Sequence, residues 1–282
     1  MKSFAKKTVY ITGGSSGIGL AMARLLASLG ADILLIARDA DKLAYAQKGV
    51  EGARQTTRQT ISTLSLDAGD HRQVSKDMQT AVSVFGPPDI LILSAGINPS
   101  PDHFQNIPHD RFTRVMNTNV NGVRNVIHAL LDPMKPKRGH VVILSSAAAL
   151  FGMFGYTAYA ASKAALMGFA DSLRYELAPV GMAVTIVFPP DVDTPMNTDE
   201  AKTLPLQGQA MKAVAGLLTP EFTAEEIVRA IRRKTYFCIP GRQTRILYLL
   251  HRLSNGALTR LVSDFIIRQA TRKAKAAAGR TQ

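Results

Sequence analysis

The chain has 282 residues, of which 46% are hydrophobic, so it is long enough to bury one large core. Its single cysteine, Cys238, excludes an internal disulfide, and six histidines without paired spacing disfavour a metal site. The net charge of +13 is uneven, because residues 229–282 hold 13 Lys and Arg against one acid, Asp264, behind a nearly neutral body.

Apolar runs of strand length alternate with helical stretches through most of the chain. The predicted strands are TVYITGG, DILLIAR, TISTLSLD, DILILSAG, GHVVILSSA and MAVTIVFPP, with helices through GIGLAMARLLASLG, DADKLAYAQKGVE and YAASKAALMGFADSLRYELAPVG. The strands are apolar at consecutive positions, which predicts burial on both faces. We therefore expect an α/β fold, a Rossmann-like doubly wound parallel sheet with helices on both faces, whose ligands bind beyond the carboxyl ends of the strands.

A glycine-rich turn, TGGSSGIG, joins the first strand to the first helix, with Gly13, Gly17 and Gly19 in G-x-x-x-G-x-G spacing. Glycines there let the backbone approach a pyrophosphate, which then lies at the positive end of the helix. Glycine is common in loops, so the pattern gains its weight from the strand before it and the helix after it. It predicts a dinucleotide site.

The second strand ends at Arg38, where dinucleotide sites that prefer NAD place an acid for the ribose 2′-hydroxyl. An arginine can instead pair with a 2′-phosphate, and Lys42 assists if it lies on the same face. We therefore expect NADP(H), against the alternative of a solvated arginine at a strand end.

The segment TAYAASKAAL places Tyr159 and Lys163 one helical turn apart on one face. A phenol has a pKa of about 10, and a nearby ammonium lowers it by about 1–3 units, which suits an acid-base catalyst. Tyr156 lacks that partner, since its fourth neighbour is Ala160. Ser146, at the end of the fifth strand, can donate to a substrate carbonyl, although serines also end strands for structural reasons.

The chain divides into a cofactor-binding domain at 1–235 and a basic amphipathic extension at 236–282. Within the domain, the weakly patterned segment 196–220 follows the sixth strand. We expect it to form either a substrate loop or lid, or an ordinary surface connection.

The extension combines an apolar stripe with excess positive charge. The stripe has helical spacing and comprises Leu258, Leu261, Val262, Phe265 and Ile266; the basic residues off or beyond it are Arg260, Arg268, Arg272, Lys273 and Lys275. Docking on the core or in an oligomer explains the stripe, nucleic-acid binding explains the charge, and contact with an anionic membrane surface explains both. We expect the membrane contact and no nucleic-acid partner.

Together these residues resemble the short-chain dehydrogenase/reductase family over about residues 5–235. The markers are TGGSSGIG, SAG at 94–96, NVNG at 119–122, Ser146, Tyr159 with Lys163, and PPDVDTP at 189–195. Two positions depart from the family pattern. Ser94 stands at the second asparagine of the usual Asn-Asn-Ala-Gly, and Pro190 replaces the glycine of the usual Pro-Gly, which removes a backbone donor.

The resemblance implies a mechanism of ketone reduction. Tyr159 would donate a proton to the carbonyl oxygen, Lys163 would lower the Tyr159 pKa and bind the nicotinamide ribose, and Ser146 would polarise the carbonyl. Asn119 would support a water chain that resupplies the proton. The expected catalytic set is therefore Ser146, Tyr159, Lys163 and Asn119.

The resemblance also implies a cofactor site. Asp67 would hold the adenine, and Thr194 would lie at the carboxamide. The expected cofactor-binding set is Gly13, Ser15, Ser16, Gly17, Ile18, Gly19, Arg38, Lys42, Asp67, Ala95, Gly96, Tyr159, Lys163, Pro189, Val192 and Thr194.

Several segments, among them ARDADKL, LFGMFGYTAYAASKAAL and FPPDVDTPMNTDEAKTLPL, are similar to the 3-ketodihydrosphingosine (3-ketosphinganine) reductases. That similarity implies reduction of 3-ketosphinganine to sphinganine with NADPH in sphingolipid synthesis. The alternatives are a reductase of another ketone, namely a 3-oxoacyl thioester, a steroid or a small carbonyl compound, and a cofactor-binding membrane scaffold without catalysis.

The sequence contains neither a signal-peptide core nor a run of about 18 apolar residues, which predicts a cytoplasmic protein. The basic extension adds the expectation of peripheral contact with the inner face of a membrane. The N-terminal membrane segment of the eukaryotic reductases is not seen, which indicates a shorter, bacterial-type version. Family members are commonly dimers or tetramers built on the helix that holds Tyr159, so we expect a homo-oligomer.

Overall fold

The computed structural model describes residues 3–278, so residues 1–2 and 279–282 lie outside the described part of the chain, as do the side chains of residue 215 and of residues 275–278. The strands are β1 (Thr8–Thr12), β2 (Asp32–Ala37), β3 (Ile61–Ser65), β4 (Ile90–Leu93), β5 (His140–Leu144), β6 (Ala183–Val187), β7 (Asp191–Val192), β8 (Leu217–Leu218) and β9 (Phe237–Cys238). Seven of them form one parallel sheet in the order β3-β2-β1-β4-β5-β6-β9, and β7 pairs with β8 in a small second sheet.

Helices cover both faces of the main sheet. They are α1 (Gly17–Ser28), α2 (Ala40–Glu51), α3 (His71–Phe85), α4 (His109–Met116), α5 (Gly122–Met134), α6 (Ala148–Phe151), α7 (Thr157–Leu177), α8 (Pro195–Ala201), α9 (Leu206–Ala215), α10 (Pro220–Arg233), α11 (Arg242–Leu253) and α12 (Ala257–Ala278). A π-helical turn, Asn117–Asn121, joins α4 to α5. Helices α1, α2 and α10 pack on one face, and α3, α5 and α7 pack on the other. The predicted fold class is confirmed.

The central strands are apolar at most positions because each of their faces supplies a separate core. In β4, Ile92 faces the core under α1 and α10, whereas Leu91 faces the core under α3, α5 and α7. In β5, Val142 and Val141 divide in the same way. A fully buried side chain of this size stabilises the fold by about 1.5–3 kcal/mol, so a polar residue on either face would be costly.

The strand order places a switch point between β1 and β4. The chain leaves β1 toward β2 and β3, then crosses back to pair β4 with the other edge of β1. The loops after these two strands therefore diverge and leave a crevice at the carboxyl edge of the sheet. The glycine-rich turn follows β1, and Gly96 follows β4, so both line this crevice.

The sequence did not predict the last strand of the main sheet or the elements within segment 196–220. The sheet has a seventh strand, β9, which is only two residues long and carries no period-2 signal; its backbone pairs with the end of β6. The segment 196–220 is not a loop but contains α9, β8 and most of α8, and these elements lie above the carboxyl edge of the sheet. Thr194 caps α8 with its hydroxyl, and Pro195 occupies the first helical position, where its missing N–H costs nothing.

Helices α11 and α12 contact each other, and α12 also packs against α9. Among the described residues, no helix combines the length and the apolar composition that crossing a bilayer requires.

Candidate active site

The turn after β1 brings backbone rather than side chains to the crevice. Gly13 and Gly17 have φ angles of +69° and +52°, which favour glycine. A Cβ on Gly13 would lie 2.8 Å from the Ala95 nitrogen, and one on Gly17 would lie 3.0 Å from Thr194 Cγ2. A Cβ on Gly19 would lie 2.2 Å from the Gly13 oxygen. All three positions therefore need glycine for close packing, and Gly13 and Gly17 need it for backbone conformation as well.

Helix α1 begins without a side-chain cap. Its N-cap residue, Ser16, makes no side-chain hydrogen bond to the first turn, which also contains no acidic residue. By contrast, Asp39 and Asp70 cap α2 and α3 with their carboxylates. The first N–H groups of α1 are therefore left for an anionic group, which the helix dipole also favours. This cradle fits the pyrophosphate of a dinucleotide.

At the carboxyl end of β2, Arg38 and Lys42 are both exposed. Lys42 is paired with Asp39 at 3.5 Å, whereas the Arg38 guanidinium makes no ion pair or hydrogen bond with any residue that the structure describes. Asp67, after β3, accepts a hydrogen bond from the Gly69 N–H at 2.9 Å. Arg38 is thus the cation left available at this edge.

Ser146, Tyr159 and Lys163 are brought together by cross-links between β5 and α7. The Ser145 hydroxyl donates to the Lys163 carbonyl oxygen at 2.8 Å, and Lys163 Nζ donates to the Leu144 carbonyl oxygen at 2.8 Å. Both bonds join the end of β5 to the second turn of α7. They hold Ser146 and Tyr159 on the same side of the crevice.

Lys163 is almost fully buried, with 4% of its surface exposed. Burial lowers the pKa of its ammonium to about 8. The Nζ lies 5.6 Å from the centroid of the Tyr159 ring. A Cβ on Gly96 would come within 3.3 Å of Nζ, so the glycine after β4 leaves room for this side chain. Lys163 is therefore still a cation at neutral pH, but one that loses its proton readily.

The pKa of Tyr159 is raised, which is opposite to the direction expected from the sequence. Burial is the largest cause, the carboxylates of Glu200 and Asp191 add to it, and a hydrogen bond with the Ser146 hydroxyl opposes it. The sequence did not predict that either carboxylate would act on Tyr159. In the protein without a bound cofactor, Tyr159 is a protonated phenol, which is the form a proton donor must have.

Asn119 is fully buried in the π-helical turn and holds the loop after β4 against α7. Its Oδ1 accepts from the Ile97 N–H at 2.8 Å, and its Nδ2 donates to the Ile97 carbonyl and to the Ser162 hydroxyl at 3.0 and 2.9 Å. Both side-chain N–H groups are occupied. A water molecule can therefore be held here only by acceptor atoms.

A buried group of polar side chains lies above Tyr159 and was missed in the sequence. The Tyr156 hydroxyl donates to Glu200 Oε2 at 2.5 Å, and Asn98 Nδ2 donates to Glu200 Oε1 at 3.0 Å. Lys212 Nζ, from α9, lies 3.1 Å from Glu200 and 3.3 Å from Asp191. Asp191 lies inside the PPDVDTP motif, whereas Glu200 and Lys212 come from the weakly patterned segment 196–220.

Two cavities meet at Ser146. One, of about 190 Å³, contains Tyr159, Lys163 and the glycine-rich turn. The other, of about 240 Å³, lies under α11 and α12 and is lined mainly by apolar side chains. The residues that line both are Ser146, Ala148, Met153, Pro190 and Asp191.

Most of the predicted site residues line the first cavity. They are Gly13, Ser16, Gly17, Ile18, Ala95, Gly96, Ser146, Tyr159, Lys163, Pro189, Val192 and Thr194. The predicted residues that do not line it are Ser15, Gly19, Arg38, Lys42, Asp67 and Asn119. Arg38, Lys42 and Asp67 lie beside the crevice at the ends of β2 and β3, while Gly19 and Asn119 support it from below.

Comparison with known proteins gives one family and several relatives. Residues 7–205 match the family model described as short chain dehydrogenase. The 3-dehydrosphinganine reductase of Danio rerio is 39% identical over 223 residues, which are 78% of this chain and 67% of that protein. The ketoacyl reductase HetN of Nostoc sp. is 28% identical over 98% of this chain and 96% of its own. Among solved structures, levodione reductase superposes with a TM-score of 0.78 at 23% identity, covering 86% of this chain and 99% of that one.

The two tyrosines above the crevice can be separated by substitution. Tyr159→Phe should retain fold and cofactor binding but lower kcat for ketone reduction by about 10²–10⁴-fold, because only the proton donor is lost. Tyr156→Phe should change kcat by no more than a few-fold. It should instead lower the free energy of unfolding by about 1–3 kcal/mol, because Glu200 loses a buried donor.

Turnover and thermal unfolding of both variants test this assignment, with cofactor binding measured by fluorescence as the control for an intact site. A larger loss of kcat in Tyr156→Phe than in Tyr159→Phe would show that the proton donor is Tyr156.

Proposed function

The chain belongs to the short-chain dehydrogenase/reductase family, and we propose that it is an NADPH-dependent reductase of a long-chain lipid ketone, 3-ketosphinganine, which it converts to sphinganine. The 39% identity to the 3-dehydrosphinganine reductase of Danio rerio supports this substrate. The enzyme class, an oxidoreductase, follows from the family itself.

The apolar cavity under α11 and α12 is the observation that carries the proposal. It begins at Ser146, beside the proton donor, and extends past Met211, Leu247, Val262 and Ile266. A small ketone would need no such cavity, whereas an alkyl chain attached next to the reacting carbonyl would lie along it. Apolar burial contributes about 0.8 kcal/mol for each methylene group removed from water.

In the proposed reduction, each residue of the first cavity has a separate role. A bound nicotinamide cofactor would supply the hydride to the carbonyl carbon. The Ser146 hydroxyl orients the carbonyl oxygen, and Tyr159 gives that oxygen its phenolic proton. The buried Lys163 ammonium stabilises the resulting phenolate and holds a proton that can replace the one lost. Asn119 keeps the loop after β4 in place, and a water molecule that resupplies the proton would have to donate to its oxygen atoms.

The charge at the end of β2 supports NADPH as the cofactor. Arg38 is exposed there without a protein partner among the described residues, so its guanidinium is free for a 2′-phosphate. The neighbouring acid, Asp39, caps α2 and pairs with Lys42, so it is not free to bind a 2′-hydroxyl.

The outer surface of α11 and α12 supports contact with a membrane. Each helix has an exposed apolar stripe at i, i+3, i+4 and i+7 spacing: Ile246, Leu249, Leu250 and Leu253 on α11, and Leu258, Leu261, Val262 and Phe265 on α12. Leu250, Leu258 and Val262 also line the apolar cavity, so its mouth opens on this surface. The exposed basic residues of these helices include Arg242, Arg252, Arg260, Arg268, Arg272 and Lys273.

We propose that α11 and α12 form an extension that docks on the body through α9 and rests on an anionic membrane through its outer stripes. The boundary expected at residue 236 lies later in the chain, because β9 belongs to the main sheet. The apolar stripe predicted from the sequence is thus divided between two surfaces: Ile266 lines the cavity, and Leu261 is exposed on the outer side of α12. A lipid ketone could then pass from the bilayer into the cavity without crossing water.

Assembly through α7 is also proposed, since its exposed residues Ala161, Ala165 and Gly168 are small enough for close approach by a second helix.

Cofactor preference tests the assignment of Arg38. The unmodified protein should have a kcat/KM for NADPH about ten- to a hundredfold above that for NADH, and Arg38→Asp should weaken or reverse the ratio, because a charge-assisted pair to phosphate is lost. Lys48→Asp, on the same helix as Lys42 but in its last turn, is the control. Equal kcat/KM values for both cofactors in the unmodified protein would contradict the assignment.

A substrate panel tests the lipid ketone. With NADPH, 3-ketosphinganine should be reduced with a higher kcat/KM than a 3-oxoacyl thioester or a small ketone. Ile266→Trp, which fills the cavity, should lower kcat/KM for the long-chain ketone by about tenfold or more while retaining turnover of the small one. Leu261→Trp, on the outward face of the same helix, is the matched control. Faster reduction of the thioester would favour a ketoacyl reductase, as the similarity to HetN would allow.

Vesicle binding tests the outer surface of the extension. The protein should co-sediment with anionic vesicles at low salt, and binding should weaken as salt screens the basic residues. The triple variant Leu253→Ser, Leu261→Ser, Phe265→Ser should bind the vesicles at least about tenfold more weakly, because its apolar contact with the bilayer is reduced. Val84→Ser, which removes an exposed apolar side chain from α3, is the control. If the unmodified protein does not co-sediment with anionic vesicles at low salt, the membrane contact is ruled out.

A further inference from the structure

A buried group of charges lies where the two cavities meet, and its charges do not balance. It comprises the carboxylates of Asp191 and Glu200 and the ammonium of Lys212. Lys163, the other buried cation nearby, pairs with neither carboxylate and donates to the Leu144 carbonyl instead. Two negative charges therefore share one positive charge in a region of low polarity, where an unpaired charge is costly.

The two carboxylates are not equally satisfied. Glu200 accepts hydrogen bonds from Tyr156, Asn98 and Lys212, and only 7% of its side chain is exposed. Among the described residues, the only cation paired with Asp191 is Lys212, at 3.3 Å, and 20% of the Asp191 side chain is exposed. That exposed part faces ligand space, because Asp191 lines both cavities. Asp191 is the member of the group that a ligand can reach.

Asp191 also lines the same cavity as Ser146 and Tyr159. Its charge and that of Glu200 both act on the Tyr159 phenol. Burial raises the pKa of the Asp191 carboxyl and Lys212 opposes this, so a second cation would further favour the carboxylate. A cationic group attached one or two bonds from the carbonyl of a bound ketone would lie within reach of Asp191.

We propose that Asp191 is a specificity-determining residue that binds a primary ammonium group on the carbon next to the substrate carbonyl. Lys212 compensates only part of the charge of the carboxylate pair when the site holds no such substrate, and it shares Glu200 and Asp191 with the ammonium when it does. This inference rests on the proposed function, because 3-ketosphinganine carries an amine beside its ketone. It distinguishes that substrate from 3-oxoacyl thioesters and simple ketones, which carry no cation there.

The test compares two ketones that differ only in the amine: 3-ketosphinganine and 1-hydroxyoctadecan-3-one, in which hydrogen replaces the amino group. The unmodified protein should reduce the amino ketone with a kcat/KM about ten- to a hundredfold higher, the range for a charge-assisted hydrogen bond. Asp191→Asn should remove most of that ratio by lowering kcat/KM for the amino ketone, while that for the other ketone stays within about threefold. Asp191→Glu should restore part of the ratio, and Asp199→Asn, an exposed acid on α8, is the control.

For Lys212→Met, the ratio of the two kcat/KM values should change in the opposite direction. Without the internal ammonium, the carboxylate pair should favour the cationic substrate more strongly, so the ratio of the two kcat/KM values should rise. Thermal unfolding of each variant shows whether the fold is retained, and the ratio itself is unaffected by the fraction of active protein. Opposite changes of the ratio in Asp191→Asn and Lys212→Met would support a binding role.

Three results would overturn the inference alone, and a fourth would refute the proposed function with it. Equal reduction of both ketones by the unmodified protein would mean that no ammonium is recognised. Equal losses for both ketones in Asp191→Asn would mean that Asp191 only holds α8 and α9 in place, and so would a ratio that falls in both variants. Reduction of neither ketone, with activity toward a 3-oxoacyl thioester, would refute the lipid substrate and the ammonium site together.

Discussion

The carboxyl ends of β1, β4, β5 and β6 meet at one edge of the sheet, because every strand pairs in parallel with its neighbour. Parallel pairing requires each connection to cross a face of the sheet, so the next helix always begins at the same edge. The glycine-rich turn, Ser146, Tyr159 and the PPDVDTP segment are far apart in sequence but all lie at that edge. The site therefore exists only as long as this pairing does.

Exclusion of water then sets the chemistry of the residues gathered there. Burial makes the Lys163 ammonium more acidic and the Tyr159 phenol less acidic, so their pKa values, which are similar in water, move apart. The carboxylates of Asp191 and Glu200 reinforce the effect on the phenol. An exposed tyrosine and lysine at the same spacing would keep their ordinary pKa values. The Tyr-x-x-x-Lys spacing by itself is therefore weak evidence of catalysis.

The C-terminal helices connect this polar site to an apolar surface. They complete a cavity whose inner end is Ser146 and whose mouth lies among exposed leucines. The same two helices thus contribute cavity wall on one side and an apolar, basic surface on the other. The arrangement supports a substrate with one reactive polar end and one long apolar chain, because each part of such a molecule has a matching part of the protein.

The sequence alone was sufficient for the fold class, the six longer strands, the glycine-rich turn and the pairing of Tyr159 with Lys163. These are local signals: buried strands read as unbroken apolar runs, and residues four apart on a helix share a face. It did not reveal β9, which is held by backbone pairing with β6 and has too few residues to carry a pattern. It also did not reveal the Tyr156–Glu200–Lys212 group or the raised pKa of Tyr159. Those depend on side chains from α7, α8 and α9 packing together out of water, and only the tertiary structure decides which charges are buried beside one another.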